Sequence, residues 1–170
     1  MLLTINRDVL SGDEMFSDAY KITEIDDVIY EVDCSMITIK EGADIDIGAN
    51  PSAEDAPEEL EEGSQTVNNV VYSFRLVPTN YDKKSYLTHL KSYMKKVKEY
   101  LQEKNPERVE AFEKGAQAYA KKQIAAFNDL EFYTGESMDI NGMVATLNYR
   151  EDGVTPFLSF WKDGLVEVKL

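Results

Sequence analysis

The chain begins with short segments in which apolar and polar side chains alternate. "YKITEI" (20–25) and "VIYEVDCSMITI" (28–39) put Ile, Val and Tyr at alternating positions, the period of a half-buried strand. "EIDD" (Glu24 to Asp27) supplies turn residues between them, so residues 1–40 are expected to form a hairpin or meander. "VNNVVYSFRLV" (67–77) is expected to be a further strand. The period then changes. Across 82–104, Tyr86, Leu90, Tyr93, Met94, Val97 and Leu101 recur at spacings of three and four, one stripe of an amphipathic helix. Residues 106–127 repeat the pattern with Val109, Phe112, Ala116, Tyr119, Phe127 and either Ala120 or Gln123. Asn105 and Pro106 read as an N-cap followed by proline in the first turn. So short a join makes the pair an antiparallel αα-hairpin. Alternation returns in "LEFYTG", "GMVATLNYR", "TPFLSFW" and "LVEVKL", with Asp-Gly turn signals in "REDGVT" and "KDG". Strands, a helical pair and strands again define an α+β class with a mostly antiparallel sheet.

One stretch fits neither period. Residues 41–66 hold nine carboxylates and the prolines Pro51 and Pro57, with too little apolar surface to offset the entropy of ordering. Pro51 to Thr66 is expected to be a mobile acidic loop, while "IDIGAN" (45–50) carries enough apolar content to be tethered.

Charge sharpens this layout. The net charge is −14, yet residues 82–122 carry +5 and the remainder −19. A basic hairpin thus sits on an acidic body, which repels nucleic acid and anionic membrane as partners. A length of 170 residues suits one domain, 1–170, with a loop at 41–66 and a hairpin at 82–127. The opening "MLLTINRDVLSGDEMF" reaches Arg7 and Asp8 before a signal-peptide core can build up. With one cysteine, Cys34, there is no disulfide framework. A cytoplasmic monomer is expected.

Enzyme chemistry lacks its parts. The one histidine, His89, has Thr88 and Leu90 as neighbours and reads as a helix-surface residue with a structural or solvent role rather than a catalytic one. No glycine-rich phosphate loop and no zinc-ligand spacing occurs. Cys34 lies within a strand pattern beside Asp33, whose charge would raise the thiol pKa. What remains is binding. Clustered carboxylates suit a weak calcium site without the spacing of an EF-hand. The hairpin lysines suit either plain solvation or an acidic partner such as the surface of tubulin.

"IGANPSAED", "YLTHLKSYMKKVKEYLQE" and "FYTGESMDINGMVATLNYREDGVTPF" closely resemble the translationally controlled tumour protein (TCTP) family, from "DEMFSDAYKI" to "FWKDGLVEVKL". The resemblance implies a twisted antiparallel β-tent with a helical hairpin and a long flexible acidic loop. That fold is similar to small Rab-GTPase accessory proteins and B-type methionine sulfoxide reductases, although the zinc-binding CxxC pairs of those relatives are missing. It also implies a cytoplasmic, partly cytoskeleton-associated, calcium-binding protein linked to protein synthesis and growth, with no catalytic role. Implied partners are a Rheb-like small GTPase, by stimulated nucleotide exchange, translation elongation factor one, and tubulin or microtubules.

By the same resemblance, GTPase binding falls on Glu14 of "DEMFSD" and on Ile47, Gly48, Asn50, Ser52 and Glu54 of the tethered segment. Weak calcium binding falls on Asn50 and Glu131. Microtubule binding falls on Lys83, Lys84, Lys91, Lys95, Lys96 and Lys98. A non-enzymatic adaptor for small or translational GTPases is the leading reading, and a microtubule-binding, calcium-responsive protein is the alternative. Ser52 and Ser64 stand in acidic surroundings suited to acid-directed kinases. A vestigial oxidoreductase built on Cys34 rests on fold analogy alone.

Overall fold

The computed structural model describes residues 3–40, 45–46 and 64–169. In chain order the elements are β1 (Thr4–Asp8), β2 (Glu14–Ser17), β3 (Ile22–Ile25), β4 (Ile29–Asp33), β5 (Met36–Lys40), β6 (Ile45–Asp46) and β7 (Ser64–Asn68). There follow α1 (Asn69–Phe74), β8 (Val77–Thr79), α2 (Lys83–Lys104), α3 (Val109–Ala125), β9 (Glu131–Thr134), β10 (Ala145–Tyr149), β11 (Pro156–Trp161) and β12 (Leu165–Lys169). A six-stranded sheet runs β3-β4-β11-β10-β9-β8, flanked by two three-stranded sheets, β12-β1-β2 and β6-β5-β7. Every pairing is antiparallel. The α+β fold with a helical hairpin follows the alternation read from the chain.

The apolar stripes become the core. α2 buries Tyr86, Leu90, Tyr93, Val97 and Leu101, with Met94 at the margin, and α3 buries Phe112, Ala116, Tyr119 and Gln123. These pack with Met15, Phe16, Val32, Leu158, Phe160 and Trp161 from the sheets. The position left open between Ala120 and Gln123 belongs to Gln123, whose amide fits a buried relay. Tyr86 Oη donates to Gln123 Oε1 at 2.7 Å, and Gln123 Nε2 donates to Thr146 Oγ1 at 3.2 Å. A buried amide satisfied on both sides costs little, and it fixes the rotation of the hairpin on the sheet.

Charges lash the same hairpin from its tip. Arg108, between α2 and α3, donates to both carboxylate oxygens of Asp163 at 2.9 and 2.7 Å and to the Asp27 backbone oxygen at 2.8 Å. A fork bound to a carboxylate in two places sets direction as well as charge.

The turns divide into those read correctly and those that differ. Asp26 and Asp27 take φ of 52° and 62°, so "EIDD" forms the β3–β4 hairpin turn. Gly153, at φ 73°, closes the β10–β11 hairpin. "KDG" is instead a single 3-10 turn, Lys162–Gly164, that carries the chain out of the large sheet so that β12 pairs with β1. Asn105 makes no side-chain cap; Pro106–Arg108 is a 3-10 turn and α3 starts at Val109.

The expected strand 67–77 is cut in the middle. The Asn68 side chain accepts from the backbone of Val70 at 2.9 Å and Val71 at 3.1 Å, and this N-cap starts α1. Local capping chemistry outweighs the β-branched run. The acidic stretch also differs from a loop at both ends. Ile45–Asp46 and Ser64–Asn68 each pair with β5, so Ser64, Gln65 and Thr66 are strand residues. The tether expected of "IDIGAN" is seen at Ile45 and Asp46, and the rest of that segment lies outside the described residues.

Candidate functional site

Glu14 is the first residue of β2, directly across the ladder from Arg7. The ladder is irregular between Asn6 and Arg7, which sets this pair at the lip of the β1–β2 connection. The connection is held from inside by Asp8, 1 % exposed. Its carboxylate accepts from the backbone of Leu10 at 3.0 Å, from Ser11 Oγ at 2.7 Å and from the backbone of Met143 at 2.7 Å. Gly12 supplies the left-handed residue the turn needs, at φ 80°. An inward carboxylate thus fixes the backbone that presents an outward one. The Glu14 side chain is 49 % exposed, with an oxygen 3.5 Å from Arg7 Nη2.

Two further segments complete a groove of about 460 Å³ with Arg7, Asp13 and Glu14. One is the end of α1, where Arg75 takes a left-handed φ of 55° and reaches Glu136 at 3.1 Å. The other is the loop after β9. Asp13 accepts from Ser137 Oγ at 2.7 Å, and a Cβ on Gly135 would stand only 2.4 Å from Asp13 Oδ2, so glycine is required for this approach. A second hollow of about 570 Å³, lined by Val67, Val71, Tyr72 and Leu76, adjoins the first and shares Ser73 and Arg75 with it. The result is an open surface with alternating charges beside an apolar shelf.

Arg7, Arg75 and Glu136 were not anticipated. Glu136 lies inside the quoted "FYTGESMD" motif, but nothing local in the sequence brings residues 7, 75 and 136 together. Ile47, Gly48, Asn50, Ser52 and Glu54 lie outside the described residues.

The lysines divide by face. Helical geometry puts Lys84, Lys91, Lys95 and Lys98 on one side of α2, with Lys83 and Lys96 off it. Lys83, Lys84, Lys91 and Lys95 are exposed. Lys96 is half-buried, as is Lys98, which pairs with Glu113 of α3 at 3.2 Å.

Glu131, at the start of β9, is exposed and lines a shallow hollow with Asn80 and Asn128. Among the described residues no three His, Cys, Asp or Glu side chains gather as a metal site. Calcium wants six to eight oxygens, and the expected companion of Glu131, Asn50, lies outside the described residues.

Two other readings change. His89 is not a surface residue; it is half-buried, with its ring 5.6 Å from Tyr81, 6.4 Å from Tyr86 and 5.8 Å from Tyr93. Burial lowers its pKa from the usual imidazole value. Cys34 lies in the link between β4 and β5 rather than mid-strand, 6 % exposed. Burial, more than the Asp33 charge, pushes its thiol up to about 11. A thiol so placed is a packing residue, not a nucleophile.

Fold and groove define a class: antiparallel α+β proteins with a helical hairpin on the sheet and an open, charge-lined surface that suits contact rather than turnover. The model of the family described as "Translationally controlled tumour protein" matches residues 3–166. Similar relatives include the homologs of Schizosaccharomyces pombe, 60 % identical over 98 % of this chain and 99 % of its own length, and of Yarrowia lipolytica, 64 % identical over 99 % and 100 %. The solved S. pombe translationally controlled tumor-associated protein superposes with a TM-score of 0.83 at 60 % identity, covering 98 % of this chain and 99 % of that one. The Caenorhabditis elegans TCTP structure gives 0.70 at 30 % identity, covering 98 % of each. The chain belongs to the TCTP family, which is non-enzymatic. Among the described residues no helix is long and apolar enough to cross a membrane.

Proposed function

We propose that the chain is a cytoplasmic adaptor in protein synthesis and growth control that binds a small or translational GTPase through the Glu14 groove. The observation that carries this reading is the presentation of Glu14. A half-exposed carboxylate stands at a rigid strand start, held by a loosely spaced Arg7, with an apolar shelf beside it. An ion pair at 3.5 Å on the surface is weak and exchanges readily. An incoming cation or a metal-bound switch segment can therefore capture the carboxylate at little cost. On a small GTPase, a carboxylate delivered near the nucleotide competes for its Mg²⁺ and loosens the phosphate shell. This reading rests on the family's implied GTPase partners, Rheb-like proteins and elongation factor one, for the choice of ligand.

The test is calorimetric titration of wild-type chain and Glu14→Ala against a Rheb-like GTPase and elongation factor one, each GDP-loaded and nucleotide-free. The substitution is expected to weaken binding at least tenfold, with the melting temperature unchanged. Equal affinity for every candidate removes Glu14 from the role.

A second reading is favoured by a separate observation, the exposed lysine face of α2 on an otherwise acidic molecule. It has the hairpin bind microtubules by charge. Cosedimentation with microtubules should then fall steeply with salt, and Lys91→Glu, Lys95→Glu and Lys98→Glu together should abolish it.

A further inference from the structure

The hairpin carries more than charge. Between α2 and α3, on the solvent side, lies a groove of about 450 Å³. Its floor is apolar: Leu90, Phe112 and Ala116 are buried and Met94 partly so. The depression exists because α3 offers only Ala116 and Ala120 where α2 offers Leu87 and Met94. Leu87 stands 38 % exposed at one end, an apolar side chain with room beside it. The α2 wall runs from Leu87 to Lys98, about 16 Å at 1.5 Å per residue, which is the length of three helical turns.

The walls are electrically unequal. Lys91 and Lys95 rise along α2, and neither has an ion-pair partner among the described residues. The opposite wall offers the uncharged Gln117, and Glu113 is already occupied by Lys98. Residues 82–122 carry +5 while the rest of the chain carries −19, so an acidic ligand is repelled over most of the molecule and accepted here. Charge alone would need no groove, and an apolar groove alone would need no lysines. Together they select one kind of occupant.

We propose that this groove seats an acidic amphipathic helix of a partner protein. Its apolar stripe, at three- and four-residue spacing, lies on Met94 and between Leu87 and Ala120, and its Asp and Glu side chains face Lys91 and Lys95. This is helix-in-groove recognition, with methionine supplying an adaptable floor. The inference does not depend on the Glu14 reading. It asks more of the hairpin than microtubule binding does, because an acidic chain without an apolar stripe does not satisfy it.

The probe is a fluorescein-labelled helical peptide with leucines at three- and four-residue spacing flanked by glutamates. It is titrated into the full chain by anisotropy at physiological salt. A scrambled isomer keeps composition and charge but loses the stripe, and an oligoglutamate keeps charge alone. The striped peptide is expected to bind at least tenfold more tightly than either control. Lys91→Glu with Lys95→Glu, and separately Leu87→Glu, should each weaken it at least tenfold without altering the melt. Ala120→Leu, which partly fills the groove with a good helix former, serves as a second blocking variant should Leu87→Glu fail to fold. Equal binding of the scrambled peptide or the oligoglutamate, absence of binding by the striped peptide, or full binding to a folded blocking variant would each overturn the proposal.

Discussion

Two exposed regions of this molecule are built in opposite ways. The Glu14 groove is assembled from three distant stretches, and its charges are matched in place, Arg7 with Glu14 and Arg75 with Glu136. The hairpin groove comes from two consecutive helices, and two of its lysines stand unmatched by any described carboxylate. A region whose ions already have partners can exchange one pair for another at little net cost, so it suits orientation and specificity. A region of surplus charge on an oppositely charged body gains from any acidic partner, so it suits capture and speed of association. The two regions should therefore fail independently.

The largest expected effect breaks the frame on which the hairpin stands. Arg108→Ala leaves Asp163, whose side chain is 5 % exposed, without its partner. Loss of about 3 kcal/mol in chemical denaturation is expected. A loss under about 1 kcal/mol would mean that the apolar core alone orients the hairpin.

A smaller effect comes from the close packing around Gly164, the tightest among the described glycines. A Cβ on Gly164 would fall 2.0 Å from Tyr93 Oη, so Gly164→Ala should cost about 1–3 kcal/mol through overpacking. Tyr93 Oη is buried with no hydrogen-bond partner among the described residues. Tyr93→Phe should therefore be close to neutral and should recover much of the Gly164→Ala loss. If the two losses simply add, the contact is not the cause.

At the Glu14 groove the stability effect should be slight. Removing a surface ion pair such as Arg7–Glu14 should change stability by under about 0.5 kcal/mol, even where GTPase binding is lost.

The smallest expected effect is in acid. Hydrogen bonds from Lys162 and Arg108 lower the Asp27 pKa from 3.8 to about 2. A depressed carboxyl contributes stability that is complete above its unfolded pKa and is lost as pH falls through the folded one. Wild type should thus lose a small increment between about pH 4 and pH 2 that Asp27→Asn does not lose, read from melts across that range. The increment is small because the Asp27 side chain is 57 % exposed.

The hairpin was legible because its signal is periodic and local; every buried position of α2 and α3 stood on an expected stripe, Gln123 as one of two alternatives. The Glu14 groove was only half legible. Its carboxylate came from a motif, but Arg75 and Glu136 reach it through sheet topology, which no short window of sequence records. The strand expected at 67–77 shows why. Val70, Val71 and Tyr72 satisfy a strand pattern, yet one asparagine capping two backbone amides starts a helix there. "KDG" misled similarly, since an Asp-Gly pair marks a reversal but not the sheet that the chain joins next. His89 was misplaced because Thr88 beside it faces solvent, while its cover comes from Tyr81 and from other turns of α2.

The most direct test is a crossed titration, in which Glu14→Ala and Lys91→Glu/Lys95→Glu are each measured by calorimetry against a GDP-loaded Rheb-like GTPase. The groove variant should lose at least tenfold in affinity, and the hairpin variant should bind as wild type does. Undiminished binding by Glu14→Ala, with loss on the hairpin variant, would contradict the assignment of the GTPase surface to the Glu14 groove.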